Sequence, residues 1–141
     1  FGLGAIIALF HDTLFVISAF AIANLIGISL EVDQVFVAAI LTIIGYSIND
    51  TVVVFDRVRE NLGIKTGSEK KKVFNESLNS TISRTLITSV TTLIVVLVLF
   101  IFGGAALKGF SFALLVGILI GTYSSIFIAT PIVIDLDKKK D

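Results

Sequence analysis

Among its 141 residues the chain has no cysteine, methionine or tryptophan, a single proline, a single histidine and only 16% charged residues. Without cysteine it can form neither disulfides nor thiolate metal sites. One histidine outside an H-E-x-x-H pattern makes no conventional zinc site, and no G-x-x-x-x-G-K-[ST] loop is present to cradle phosphates. No metal, no cofactor and no enzyme chemistry are therefore expected. Eleven basic residues balance eleven acidic ones, so there is no global electrostatic argument for a nucleic-acid partner.

What the chain has in excess is apolar surface. It is 55% hydrophobic with a mean hydropathy of +1.01, more than one small domain can bury. Its charges are clustered and leave charge-free windows at 13–30, 34–49, 85–107 and 109–134; the last two exceed the roughly 20 residues needed to cross a bilayer. The expected fold is all-α, a polytopic membrane bundle in one transmembrane domain over 1–141. Its spans are placed at about 3–26, 35–55, 84–102 and 110–134, with a cytoplasmic connection over 56–83. The pattern of span two continues through Asp56–Asn61 to a stop near Gly63. Ser68 is the expected N-cap, with Glu69 in the first turn, of an amphipathic helix carrying Phe74, Leu78 and Ile82 on one stripe and feeding span three. Phe1 already begins an apolar run, so the stretch reads as a piece of a longer membrane protein.

Orientation follows from the basic residues. Arg57, Arg59, Lys65 and Lys70–Lys72 fall between spans two and three, and Lys138–Lys140 follow span four, whereas the other two connections hold only Lys108. Cytoplasmic loops carry the Lys/Arg excess, which puts the 56–83 connection and both ends of the chain inside.

Asp50 is the most informative residue. It lies about six positions, roughly 9 Å, inside the cytoplasmic end of span two, and an Asp at a helix centre in the bilayer costs about 2.5 to 3.5 kcal/mol. Arg84 enters from the same side at matching depth and is its candidate partner, either as a static ion pair or as part of a proton path. Thr81, Thr85, Thr88, Thr91 and Thr92 run along the face bearing Arg84. Individually such hydroxyls usually bond their own helix. His11 and Asp12 make a second intramembrane polar group, and Asn49 a further polar neighbour of Asp50. Adjacent residues point about 100° apart, so His11 and Asp12 cannot both face one site. In span four Gly109, Ala113, Gly117, Gly121, Ser125 and Ala129 recur at four-residue intervals, a small-residue face suited to close helix packing.

The stretch Gly45-Tyr46-Ser47-Ile48-Asn49-Asp50-Thr51-Val52-Val53-Val54-Phe55-Asp56-Arg57-Val58-Arg59-Glu60-Asn61 resembles the SecF signature of the SecD/SecF protein-export membrane family. The order of His11-Asp12, Asn75-Glu76-Ser77-Leu78-Asn79, Ser83-Arg84-Thr85, Phe102-Gly103-Gly104 and Gly121-Thr122-Tyr123-Ser124-Ser125-Ile126 is similar to that family too. The resemblance implies the last four spans of a six-span SecF half. It further implies a multi-pass protein of the bacterial inner membrane, related to RND transporters, that uses the proton-motive force to promote preprotein translocation. On that resemblance Asp50 and Arg84 correspond to residues implicated in proton conduction, with a further Asp expected in the SecD half. The implied partners are SecD, the SecYEG channel, the preprotein and membrane lipid. Two alternatives compete: a fragment of an RND-type small-molecule or lipid transporter, and a passive membrane scaffold.

Overall fold

A computed structural model describes residues 1–64 and 70–138. The expected N-cap Ser68 and first-turn Glu69, together with Lys65, Lys139 and Lys140, lie outside the described residues. Apart from residues 1, 26–33 and 103, the described chain is helical: α1 Gly2–Leu25, α2 Gln34–Ile64, α3 Lys70–Phe102, α4 Gly104–Ser124, one π-helical turn at Ser125–Ala129, and α5 Thr130–Lys138. Four helices are long and apolar enough to cross a membrane, the last running through α4, the π turn and α5 as Gly104–Leu136. A helix satisfies its backbone groups internally, which is what a chain of this apolarity needs in lipid. Embedded hydroxyls do the same: Thr13, Ser18 and Thr42 donate to the carbonyls of Leu9, Leu14 and Ala38.

The connections are short and tied down. After α1, Asn24 accepts from the Leu30 amide at 2.9 Å and donates to the Leu30 carbonyl at 3.3 Å, standing in for backbone. Asp33 caps α2 by accepting from the Phe36 amide at 2.9 Å. Between α3 and α4 there is only Gly103. A Cβ at Gly103 would collide with the Leu99 carbonyl, and Gly104 has φ of 73°, so neither position suits a larger residue.

Two boundaries differ from the sequence-based expectation. The amphipathic segment before span three is not a separate helix; it is the first half of α3, because no glycine or proline interrupts residues 70–102. Its buried face is also rotated: Phe74 is 2% exposed, Leu78 half-buried and Ile82 37% exposed, while Ser77, Thr81, Thr85 and Ser89 face inward. This half of α3 packs on the extension of α2, with Asn61 donating to Ser77 at 2.8 Å and Arg57 to Ser80 at 3.3 Å. The helix carrying span four begins at Gly104, ahead of the expected span start near Phe110, since Ala105, Ala106 and Leu107 are good helix formers directly after the turn.

α4 is the centre of the bundle, packed against α1, α2 and α3. Half of its apolar window is buried against 17% for α3, which leaves the large exposed apolar side chains of the outer helices facing outward. The core is divided in two. One cluster joins Val16, Phe20, Phe36, Ile43, Leu114 and Ile118; the other joins Ala8, Val54, Phe55, Phe74, Ala129 and Val133. Reading along each helix, Asp12 falls between Ala8 and Val16, Ser47 to Thr51 between Ile43 and Val54, and Gly121 to Ser125 between Ile118 and Ala129. A polar layer therefore lies between two apolar ones.

Candidate functional site

The layer is built around two carboxylates. Asp12 of α1 is 1% exposed. Its Oδ2 accepts from Ser47 Oγ of α2 at 2.7 Å and from Ser124 Oγ of α4 at 2.8 Å. Its Oδ1 lies 3.2 Å from His11 Nδ1. As the helical rotation requires, His11 points elsewhere and its side chain is 38% exposed. Gly121 lies against this meeting point: a Cβ there would sit 3.3 Å from Ser47 Cβ, a tight contact, and 3.7 Å from Asp12 Oδ2, an ordinary one. The small-residue face of span four thus packs on α1 and α2, and at Gly117 a Cβ would collide with the Ile43 side chain.

One turn nearer the α5 end, Thr51 Oγ1 and Ser125 Oγ are 3.0 Å apart. Ser125 donates its proton to the Gly121 carbonyl at 2.8 Å, so Thr51 is the donor in this pair. The π turn starts here, and Thr130 Oγ1 donates to the Ser125 carbonyl at 3.0 Å. A π turn inside an α-helix often accompanies a functional site. On the α3 side, Tyr46 donates to Ser89 at 3.3 Å, Ser89 is 2.6 Å from Thr122, and Thr122 donates to the Ile118 carbonyl at 2.8 Å. A cleft of about 260 Å³ lined by Phe1, Gly2, Phe55, Asp56 and Arg59 reaches Thr51.

Asp50 differs from all of these. It is 4% exposed, and its Oδ2 is the one buried side-chain polar atom among the described residues without a hydrogen-bond partner. Buried polar groups are normally paired, and an unpaired one is costly where the local dielectric is low. Arg84 stands at matching depth: the Tyr46–Ser89 and Arg57–Ser80 bonds bracket Asp50 and Arg84 on the antiparallel α2 and α3. Arg84 is exposed and makes no direct ion pair with Asp50, though it is within Coulombic reach.

Of the remaining polar residues picked out in the sequence, Thr81 and Thr85 face inward on α3, and the others stand outside this layer. Asn49 is exposed, and Thr88 is exposed and donates to the Arg84 carbonyl of its own helix at 2.7 Å. Thr91 and Thr92 bond back in the same way. The hydroxyls that do line the site are Ser47, Thr51, Ser124 and Ser125, which sequence reasoning did not assign to it. Their signal was available, since Ser47 lies three residues before Asp50 and Ser124–Ser125 belong to the polar run Thr122–Ser125 in a mostly apolar span. No cluster of three or more His, Cys, Asp or Glu suited to a metal occurs among the described residues.

Fold and site together define a polytopic helical membrane protein with two carboxylates buried in a polar layer between apolar ones. The family model described as protein export membrane protein SecD/SecF, C-terminal, matches residues 1–139, and the chain belongs to that family. It is 59% identical over 137 residues to the protein translocase subunit SecF of Rhodothermus marinus, covering 96% of this chain and 44% of that protein. It is 49% identical over 140 residues to the SecF of Haemophilus influenzae, covering 99% of this chain and 42% of that one. The chain thus spans under half the length of these relatives. Two solved structures share the fold: a SecDF in a super-membrane-facing form, with a TM-score of 0.89 and 41% identity, and a translocon-associated SecDF from Thermus, with 0.87 and 43%. They align with 99% and 98% of this chain, which covers 18% of each of theirs.

Proposed function

We propose that this chain is the carboxy-terminal membrane bundle of an accessory subunit of the Sec translocon, and that Asp50 takes up and releases the protons whose flow promotes preprotein translocation. The single observation that carries this reading is the unpartnered Oδ2 of Asp50, where the other buried side-chain polar atoms among the described residues have partners. A carboxylate fixed there only to hold helices in register would be paired. An open oxygen suits a group whose partners change over a cycle. Arg84, within reach but not in contact, acts on Asp50 as a point charge whose influence grows or fades as the helices shift. One proton moving across about 100 mV releases about 2.3 kcal/mol, enough to bias a two-state bundle by more than about tenfold.

The relatives' printed names, SecF and SecDF, support a SecD half, joined or separate, as the partner. SecYEG and the preprotein complete the proposed assembly, in the bacterial inner membrane with both ends of this stretch cytoplasmic. The role is mechanical rather than enzymatic.

The test is preprotein translocation into proton-energised vesicles carrying the complete complex. Asp50→Asn keeps the volume and removes the titration, so it should assemble normally and lose the stimulation by the proton gradient. An Asp50→Asn complex as responsive as the parent would sink this role and leave a passive scaffold as the better account.

A further inference from the structure

The buried carboxylate that this mechanism leaves unused is Asp12. We propose that Asp12 is a second proton-holding group, in series with Asp50 on its outward side, and that the hydroxyls of Ser47, Ser124, Thr51 and Ser125 carry protons between them. This inference rests on the proton-driven role proposed above.

Geometry gives four reasons. First, Asp12 lies at the level of Ser47, about one helical turn or ~4.5 Å from Asp50, on the side away from the basic connection. The two carboxylates therefore stand at successive depths. Second, Ser47 and Asp50 are three residues apart on α2 and share one side of that helix. Ser47 bonds Asp12 at 2.7 Å, while Asp50 Oδ2 has no donor of its own and is free to accept. Third, a second hydroxyl pair, Thr51 and Ser125, lies one turn further along the same two helices. Fourth, Asp12 is not sealed off: its second oxygen meets the ring of His11, which is 38% exposed. A fastening for three helices needs an acceptor, but it does not need a half-exposed imidazole at its other oxygen.

The transfer balances. A proton reaching Asp12 through His11 makes a neutral carboxylic acid, which donates to Ser47 Oγ as the Ser47 hydroxyl releases its own proton onward. Each hydroxyl gains one proton and loses one. Asp50 ends one proton richer and Asp12 returns to the carboxylate. The other titratable or charged groups on the membrane-embedded parts of the packed helices are accounted for. Tyr46 of α2 is bonded to Ser89, Arg84 of α3 is exposed, and Tyr123 of α4 is exposed and stacked on Phe127 with centroids 5.1 Å apart.

The experiment separates a carrier from a fastening. In Asp12→Asn, the side-chain carbonyl still accepts from Ser47 and Ser124 and the amide still meets His11, so a static role predicts a normal response to the gradient. A carrier predicts an assembled complex without gradient stimulation, partial recovery with Asp12→Glu, and a displaced pH profile of that stimulation. Infrared difference spectra on acidification, taken on the Asp50→Asn complex, give an independent readout. A carboxylic-acid band that moves on Asp12→Glu is the expected result, and its absence would overturn the proposal even where Asp12→Asn failed to assemble. If Asp50→Asn abolishes the response and Asp12→Asn does not, this inference alone is lost. If Asp50→Asn leaves the response intact, the underlying function is lost with it.

Discussion

At the scale of single residues, the deciding contrast is between groups that have partners and one that does not. In the sequence Asp12 is recognisable only as an intramembrane acid beside His11; what singles it out are Ser47 and Ser124, which are remote in sequence and meet it through the fold. Asp50 was legible because a carboxylate inside an apolar span has few innocent explanations. Arg84 was legible only by shared depth and makes no ion pair with Asp50, since sequence spacing gives the height of a side chain and not the direction in which a long guanidinium stem extends. Because Arg84 acts from a distance, its charge should matter more than its planar fork. Arg84→Lys is expected to retain most of the gradient-driven translocation and Arg84→Gln to lose it, measured in the same energised vesicles; equal loss in both would require a bidentate contact. Thr88→Val tests the opposite case. Its hydroxyl serves only its own helix, so the variant should leave thermal stability within about 0.5 kcal/mol and translocation unchanged.

At the scale of elements, helix number and span order were readable from hydropathy, whereas the rotation of α3 was not. The stripe Phe74, Leu78, Ile82 is apolar by spacing, yet it turns from buried Phe74 through half-buried Leu78 to exposed Ile82. The inward face is the small polar series Ser77, Thr81, Thr85 and Ser89, because lipid is as favourable a neighbour for Ile as a protein core is. The four-residue series of small side chains in span four is legible as a packing face, and Ala113, Gly117, Gly121, Ser125 and Ala129 are buried. Gly117→Leu would drive a side chain into Ile43, and overpacking of that kind costs about 1 to 3 kcal/mol or more. The expected result is a lowered melting temperature and poor assembly of the purified complex. A fully stable Gly117→Leu would mean that α2 and α4 sit further apart than described here.

At the scale of the whole molecule, the basic residues of the α2–α3 connection and the carboxyl end predict both lie on the cytoplasmic side. Single cysteines at Lys71, Glu31 and Lys108, introduced into the otherwise cysteine-free chain, test this. Membrane-impermeant reagent applied from the periplasm should label positions 31 and 108 and spare 71; labelling of 71 would invert the arrangement. What the bundle does with movement is governed by the one-residue link at Gly103. With no slack between α3 and α4, the two helices form a stiff hairpin, and an axial displacement of one must be followed by the other. Arg84 rides on one limb, Ser124 and Ser125 on the other. On the proposed mechanism, a shift of the limb bearing the guanidinium would carry with it the hydroxyls beside Asp12 and Thr51, so that charge position and hydroxyl alignment would change together rather than independently.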